Sequence, residues 1–211
     1  MKPGWLRKSL GHGAIGGYTP WRRLLANGFA PVQGRLQGEE AAAQSLRWYS
    51  PDLVPGILQT RDYATAVLRT CIEFLDGPTD LVAAVDARMR RRTVLLDEGH
   101  RFHFLVGEQA LYRTLGDDRI MLQQLEYLFE TLHAPRTTVG IIPLTAEFCC
   151  PATGFVLRDR TIAEIETVSA ALSVTDAQEV ALYERAFDLL AARAVSGDGA
   201  RALIEQAQQA R

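Results

Sequence analysis

Carboxylates, aromatic side chains and amides suggest where chemistry could sit. Glu164 and Glu166 stand two apart in the alternating stretch Thr161–Val168. In a strand their carboxylates share one face, with Cα atoms about 6.6–7 Å apart. Paired carboxylates divide acid and base roles when burial pushes their pKa values apart. Glu108 directly follows the alternating run Phe102–Gly107, and Arg113 lies five residues on, where it could hold an anionic group. Glu108 and Glu166 are therefore the first acid–base candidates and Glu164 the second. The plain alternatives are a solvated strand face for the pair and helix-dipole complementarity for Glu108. Trp48-Tyr49-Ser50-Pro51 and Gln59-Thr60-Arg61-Asp62-Tyr63 bracket a loop stiffened by Pro51, Pro55 and Gly56. Trp48, Tyr49, Gln59 and Tyr63 are candidate pocket-lining residues, with Arg113 as the cationic partner. Anchoring the loop onto a core is an equal reading of the same aromatics.

Other motifs point to no cofactor and no metal. Gly11-His12-Gly13-Ala14-Ile15-Gly16 spells GxGxxG, but neither a strand before it nor a helix after it is indicated. A flexible glycine tract explains it better. His100 and His103 have HxxH spacing, which in a strand sends them to opposite faces. Cys149 and Cys150 are adjacent, too close in Cα separation for a relaxed disulfide. Arg88, Arg90, Arg91 and Arg92 form a basic run that reads first as a solvated helix face and second as a phosphate patch.

These residues need a scaffold, and the periodicities supply one. A short helix is expected at Pro20–Leu25, and Glu39–Trp48 is alanine-rich and helix-compatible. Thr60 caps a helix with Tyr63, Val67 and Cys71 on one stripe, broken at Asp76-Gly77-Pro78. Thr79 caps the next, with Val82, Val85 and Met89 inward. Strands are expected at Arg101–Gly107, Thr137–Pro143, Gly154–Arg158 and Thr161–Val168. Asp117 opens an amphipathic helix on Met121, Leu125, Leu128 and Leu132. Thr175 and Gln178 form a capping-box pair before a helix on Val180, Tyr183, Phe187 and Leu190, and Asp198 caps the last. The fold class is α+β, a roughly four-stranded sheet covered by amphipathic helices.

Composition narrows the class further. The 211 residues are 47% apolar and 23% charged, with a net charge of −2. Those values belong to a globular chain and exclude a disordered one. Residues 1–38 hold six basic residues, no acid and eight of the 17 glycines. The remainder carries 17 basic against 25 acidic residues, a balance of −8. Residues 1–19 read as a glycine-rich basic arm, and 20–211 as a single α+β domain. No apolar run reaches the roughly 18 residues of a membrane span, and no secretory h-region follows the N-terminus. Three cysteines and no leader suggest a cytoplasmic protein without a membrane partner.

The segment Arg47–Ala64 has the core Val54-Pro55-Gly56-Ile57-Leu58-Gln59-Thr60-Arg61-Asp62-Tyr63-Ala64. It resembles the signature VPGLLQTxDYA of the uncharacterised C-terminal domain in actinobacterial WhiJ-type Xre-family regulators. Asp86–Arg92, Val106–Leu111, Thr138–Pro143 and Gly154–Leu157 follow in the order of that domain's other segments, and Glu166 falls near a family glutamate. The resemblance runs from about Pro20 to Leu203. It implies a sensor or interaction domain that answers to a small molecule or a partner protein. In the family a helix-turn-helix of roughly 55–60 residues precedes it, and about 20 glycine-rich residues stand here instead. The expectation is a stand-alone binding module, without specific DNA binding, for a small molecule or partner protein. An oligomer is compatible with this reading. The alternative is a cofactor-independent enzyme or accessory subunit of a biosynthetic pathway, performing acid–base cyclisation or rearrangement.

Overall fold

The computed structural model describes residues 17–211. The arm's GxGxxG and its first basic residues lie outside them.

Seven strands form one mixed sheet rather than the four expected. They are β1 (Tyr18–Pro20), β2 (Ser45–Ser50), β3 (Arg101–Gly107), β4 (Thr137–Ile142), β5 (Phe155–Arg158), β6 (Ile162–Glu166) and β7 (Ala170–Val174). Their order across the sheet is β1-β7-β6-β5-β2-β3-β4. β2, β3 and β4 run parallel, while β5, β6, β7 and β1 are antiparallel to their neighbours. β2 is thus the seam between a parallel half and an antiparallel half. It takes residues the sequence offered to a helix. Helix α2 (Phe29–Ala42) stops at Ala42, and Leu46/Trp48 and Arg47/Tyr49 then alternate across the sheet.

The remaining helices are α1 (Trp21–Leu24), α3 (Arg61–Leu75), α4 (Leu81–Arg91), α5 (Gln109–Tyr112), α6 (Asp118–Thr131), α7 (Ala177–Ala191) and α8 (Asp198–Gln209). Four of them, α3, α4, α6 and α7, start after short polar side chains, whereas α8 starts after Gly197 with Asp198 in its first turn rather than as its cap. The Thr60 hydroxyl accepts from the Tyr63 N–H at 3.4 Å and an Asp117 carboxylate oxygen from the Ile120 N–H at 3.0 Å. At α7 the cap is Asp176, not Thr175: one of its oxygens takes the Gln178 and Glu179 N–H groups. At α4 the flanking residue is Asp80, not Thr79; Val85 is buried and Met89 packs beside it as expected, but Val82 is exposed, and Ala84 and Ala87 complete the buried face. Asp80 has a further task. Its two oxygens accept from the Phe29 and Ala30 N–H groups at 3.0 and 2.8 Å, capping α2 from another helix. Gly28 makes this approach possible, with φ of 103° and no side chain where a Cβ would sit 2.4 Å from the Asp80 carboxylate.

Two cores flank the sheet. On one face Phe155, Leu157, Ala163 and Ile165 pack with Phe187 and Leu190 of α7. On the other, Leu46, Phe102, Phe104, Val139 and Ile141 pack with residues of α3, α6 and α8. Over the antiparallel half the same face is met by Glu39 of α2, which holds Arg158. There β5, β6 and β7 present Val156, Glu164, Glu166 and Ser173, half-buried or exposed.

Candidate functional site

The loop after β2 is built into the core. Its 3-10 turn Gly56–Leu58 is fully covered, and Val54, Ile57, Leu58, Gln59 and Tyr63 are each no more than 2% exposed. Buried backbone groups there need partners, and three side chains supply them. Gln124 of α6 accepts from the Thr60 N–H and donates to the Leu58 carbonyl, both at 2.8 Å. The Tyr63 hydroxyl accepts from the Val54 N–H at 3.3 Å, and burial pushes its pKa up to about 12. Tyr63 is therefore a structural residue of the loop rather than a surface that meets a ligand. Gln59 is different: its amide donates to the Val54 carbonyl at 2.8 Å and turns its own oxygen toward α4.

That oxygen meets a network that the basic run concealed. Arg88 donates to the side-chain amide oxygens of Gln59 at 2.9 Å and of Gln33 at 3.1 Å. Arg91, only 2% exposed, donates to the same Gln33 oxygen at 2.6 Å and forks onto Glu40, which is 3% exposed. Arg88 and Arg91 thus leave the solvated face expected for the run, while Arg90 stays on it. Gln33 and Glu40 are seven residues apart on α2, and Arg88 and Arg91 three apart on α4. Both spacings put side chains on one face of a helix, which is the signal in the sequence that would have paired them.

The charges do not balance. Two guanidiniums share one carboxylate, and Glu40 is committed to Arg91. Arg88 has no carboxylate within 4.0 Å among the described residues; its acceptors are two neutral amides. Burial, and then the neighbouring charge of Arg91, lower its pKa from the usual 12.5 to about 10. The charge of Glu166 acts on it in the opposite sense.

Glu166 ends β6 on the sheet face that carries Glu164 and, two strands over, Trp48. Trp48 is half-buried, 6.3 Å from the Phe104 ring, and closes against Gly56 beside the Arg91 guanidinium. Glu164 bonds Arg158 at 2.9 Å, and Arg158 also holds Glu39 at 2.8 Å. Burial holds the Glu164 carboxyl above its usual pKa, against the lowering effect of Arg158. Trp48, Glu164 and Glu166 therefore share one sheet face, while Gln59 meets Arg88 directly.

The other sequence candidates lie elsewhere. Tyr49 points to the opposite face, against Phe155 at 5.8 Å and beside Cys149 and Cys150, and burial raises its pKa. The Glu108 carboxylate accepts from the Leu144 N–H at 2.7 Å, tying down the loop after β4. β5 and β2 separate its strand from β6, three spacings of about 4.8 Å, so Glu108 and Glu166 stand roughly 14 Å apart at least. They do not form one acid–base pair. Arg113 forms an exposed pair with Asp52 at 2.7 Å. His100 and His103 diverge as expected: His100 bonds the Ala43 carbonyl and His103 packs on Phe187 across the sheet. Cys149 and Cys150 are free thiols with sulfurs 3.7 Å apart. No cluster of three His, Cys, Asp or Glu side chains with metal-site geometry occurs among the described residues.

A mixed seven-stranded α+β domain with a polar network between α2 and α4 is the class that fold and site define. Residues 33–206 match the domain of unknown function DUF5753, and the chain belongs to that family. No curated protein matches it. Among solved structures, NucT from Helicobacter pylori is 10% identical with a TM-score of 0.46, the match covering 86% of this chain and 96% of that one. The archaeal chromatin protein TrmBL2, described as showing a novel mode of DNA binding, is 10% identical with a TM-score of 0.39, over 80% of this chain and 52% of that one. Likeness at these TM-scores supports no statement about this chain. No helix among the described residues is long and apolar enough to cross a membrane.

Proposed function

We propose that this chain is a small-molecule binding module, related to the sensor domain of WhiJ-type regulators and without DNA-reading activity of its own. The observation that carries the reading is Arg88. A half-buried guanidinium held by neutral amides, with no carboxylate paired to it among the described residues, carries a desolvation cost that a bound anionic group would offset. Perturbed ionisable groups of this kind mark binding sites more often than chance. The site is the antiparallel half of the sheet face, with Trp48, Val156, Glu164 and Glu166 as floor and Arg88 and Gln59 as wall.

The test is differential scanning fluorimetry with the ultrafiltered low-molecular-mass fraction of a cell extract. The fraction raises the melting temperature of the wild type and leaves Arg88→Met unshifted. Equal shifts in both, or none in either, overturn the reading. In mobility-shift titrations at about 200 mM salt, where phosphate contacts fade, no duplex sequence is preferred; a selective complex there removes the second half of the proposal.

One observation favours the enzyme reading. Glu164 is a half-buried carboxyl with a raised pKa on the floor of the same site, the state a general acid needs. Under that reading Glu164→Gln abolishes turnover of the bound molecule while leaving its affinity intact; unchanged turnover removes it.

A further inference from the structure

The loop between β4 and β5 carries two adjacent thiols on the opposite side of the sheet from Arg88. Cys149 and Cys150 are free and half-buried, and their sulfurs stand 3.7 Å apart. They pack with Tyr49 and Ala152 against the core of Phe155, Leu157 and Phe187, whereas the third thiol, Cys71, lies on α3 in the other core. The loop is pinned around the pair. The Leu144 N–H donates to Glu108 at 2.7 Å, the Arg193 guanidinium to the Glu147 carbonyl at 3.0 Å and the Ala152 N–H to the Cys150 carbonyl at 2.9 Å. Pro151 fixes its own φ directly after the pair. The sulfur separation is far beyond the about 2.05 Å of a disulfide. It matches two sulfurs that share one centre: bonds of about 2.3 Å, the thiolate–zinc length, subtend about 107° across 3.7 Å. A linear two-coordinate ion at the same bond length would need about 4.6 Å.

We propose that Cys149 and Cys150 are a chelating site for a trivalent metalloid, arsenic or antimony, taken up as its neutral hydroxide. Arsenous acid and the two thiols give a cyclic dithioarsenite and two waters. Two As–O bonds break and two As–S bonds form, each thiol proton leaves in a water, and no atom changes oxidation state. The hydroxide that stays is the third ligand. A three-coordinate centre needs two protein ligands, which is the number the loop supplies: among the described residues no third Cys, His, Asp or Glu joins the pair in a metal-site cluster. Zinc asks for four ligands and brings two positive charges, while Arg193 places a cation on the same loop. Glu147, the acid nearest in sequence, turns its carboxylate toward Arg193 at 3.8 Å instead. Reactants and product of the metalloid exchange are all neutral, so a half-buried setting beside aromatic side chains penalises it little.

Phenylarsine oxide and arsenite, offered to the reduced full chain, test the site. Phenylarsine oxide has an inert phenyl in the third position and gives one cyclic adduct and one water. Intact mass spectrometry is expected to show one arsenical per chain, and thiol titration after unfolding to fall from three to one. Excess mercaptoethanol leaves the adduct in place, whereas the dithiol dimercaptopropanol removes it. Cys149→Ser and Cys150→Ser each lose the arsenical to mercaptoethanol, and Cys71→Ser keeps it. Retention in both of the first two variants, or loss in the third, overturns the assignment. A synthetic peptide of residues 144–154 has the same two cysteines without Glu108, Tyr49 and Arg193 around them. Preorganisation should make the folded chain bind arsenite at least about tenfold tighter than this peptide; equal affinities overturn the built site. Zinc offered alone is expected to wash off on desalting. One zinc retained per chain, and lost in both the Cys149 and the Cys150 variant, overturns the metalloid in favour of a cation.

Discussion

Removing one carboxylate tests the charge accounting between α2 and α4 most directly. In Glu40→Gln the side chain keeps its size and an acceptor oxygen but loses its charge. Arg91 is 2% exposed, and its only ion pair among the described residues is with Glu40. The variant therefore leaves the buried Arg91 and the half-buried Arg88, which share Gln33, without a carboxylate. Breaking one partner of such a pair costs about 3–5 kcal/mol, whereas an exposed pair costs at most about 1 kcal/mol. For a chain of this size each kcal/mol moves the midpoint by about 2–4 °C, so Tm should fall by roughly 6–20 °C. Differential scanning calorimetry and urea unfolding at neutral pH read this directly. Exchanging both partners for apolar side chains of similar volume, Glu40→Leu with Arg91→Met, removes both charges together. It should recover most of the loss, to within about 1–2 kcal/mol of the wild type. A loss below about 1 kcal/mol in the single variant would refute the claim that this network is buried and unbalanced.

Three further outcomes follow from the same structure. Tyr63→Phe leaves the buried Val54 N–H without its acceptor, so urea unfolding should show a loss of about 1–3 kcal/mol; a neutral result would mean that the loop is held otherwise. Because burial raises the Glu164 carboxyl in the folded state, the native protein holds its proton to higher pH than the unfolded chain, and stability falls as pH rises through that window. Glu164→Gln should flatten this slope in the weakly acidic range, and parallel pH profiles for the two proteins would contradict the assignment. Gly28→Ala forces a Cβ into the Asp80 carboxylate at a positive φ, disrupting the cap of α2. Its cost should exceed the roughly 1 kcal/mol of an ordinary cap loss, and thermal unfolding unchanged within 1 °C would exclude the contact.

The elements that announced themselves in the sequence are those whose signal is local. Helices α3 and α6 begin at Thr60 and Asp117 with apolar stripes at helical spacing, and β3 and β4 alternate between polar flanks. Helix α2 contains Gly34 and Gly38, which disfavour helix, and what holds it is remote: Asp80 at its start and Arg91 against Glu40. β2 follows an alanine-rich stretch and is selected as strand only by β3 and β5, far along the chain. β1 has three residues and exists because β7 offers an edge. The site was legible in part for the same reason. Trp48, Gln59, Glu164 and Glu166 stood out by type and spacing. Arg88 did not, because a basic run reads as solvated until a helix from elsewhere in the chain covers it. The segment that carried the family resemblance, Val54–Ala64, is mainly core, with Gln59 turning its oxygen to Arg88.

The seam strand sets the order in which the sheet can assemble. β5, β6 and β7 follow one another through short turns, so their ladder closes cheaply and early. β2 must find β3 some 50 residues downstream and β5 some 110 downstream before either half has its neighbour. Loop closure on that scale makes the joining step the slow one. Until it occurs, β5 and β3 each present an unpaired edge, and such edges invite intermolecular pairing. Refolding yield should therefore fall with protein concentration, with the loss confined to the interval before β2 docks.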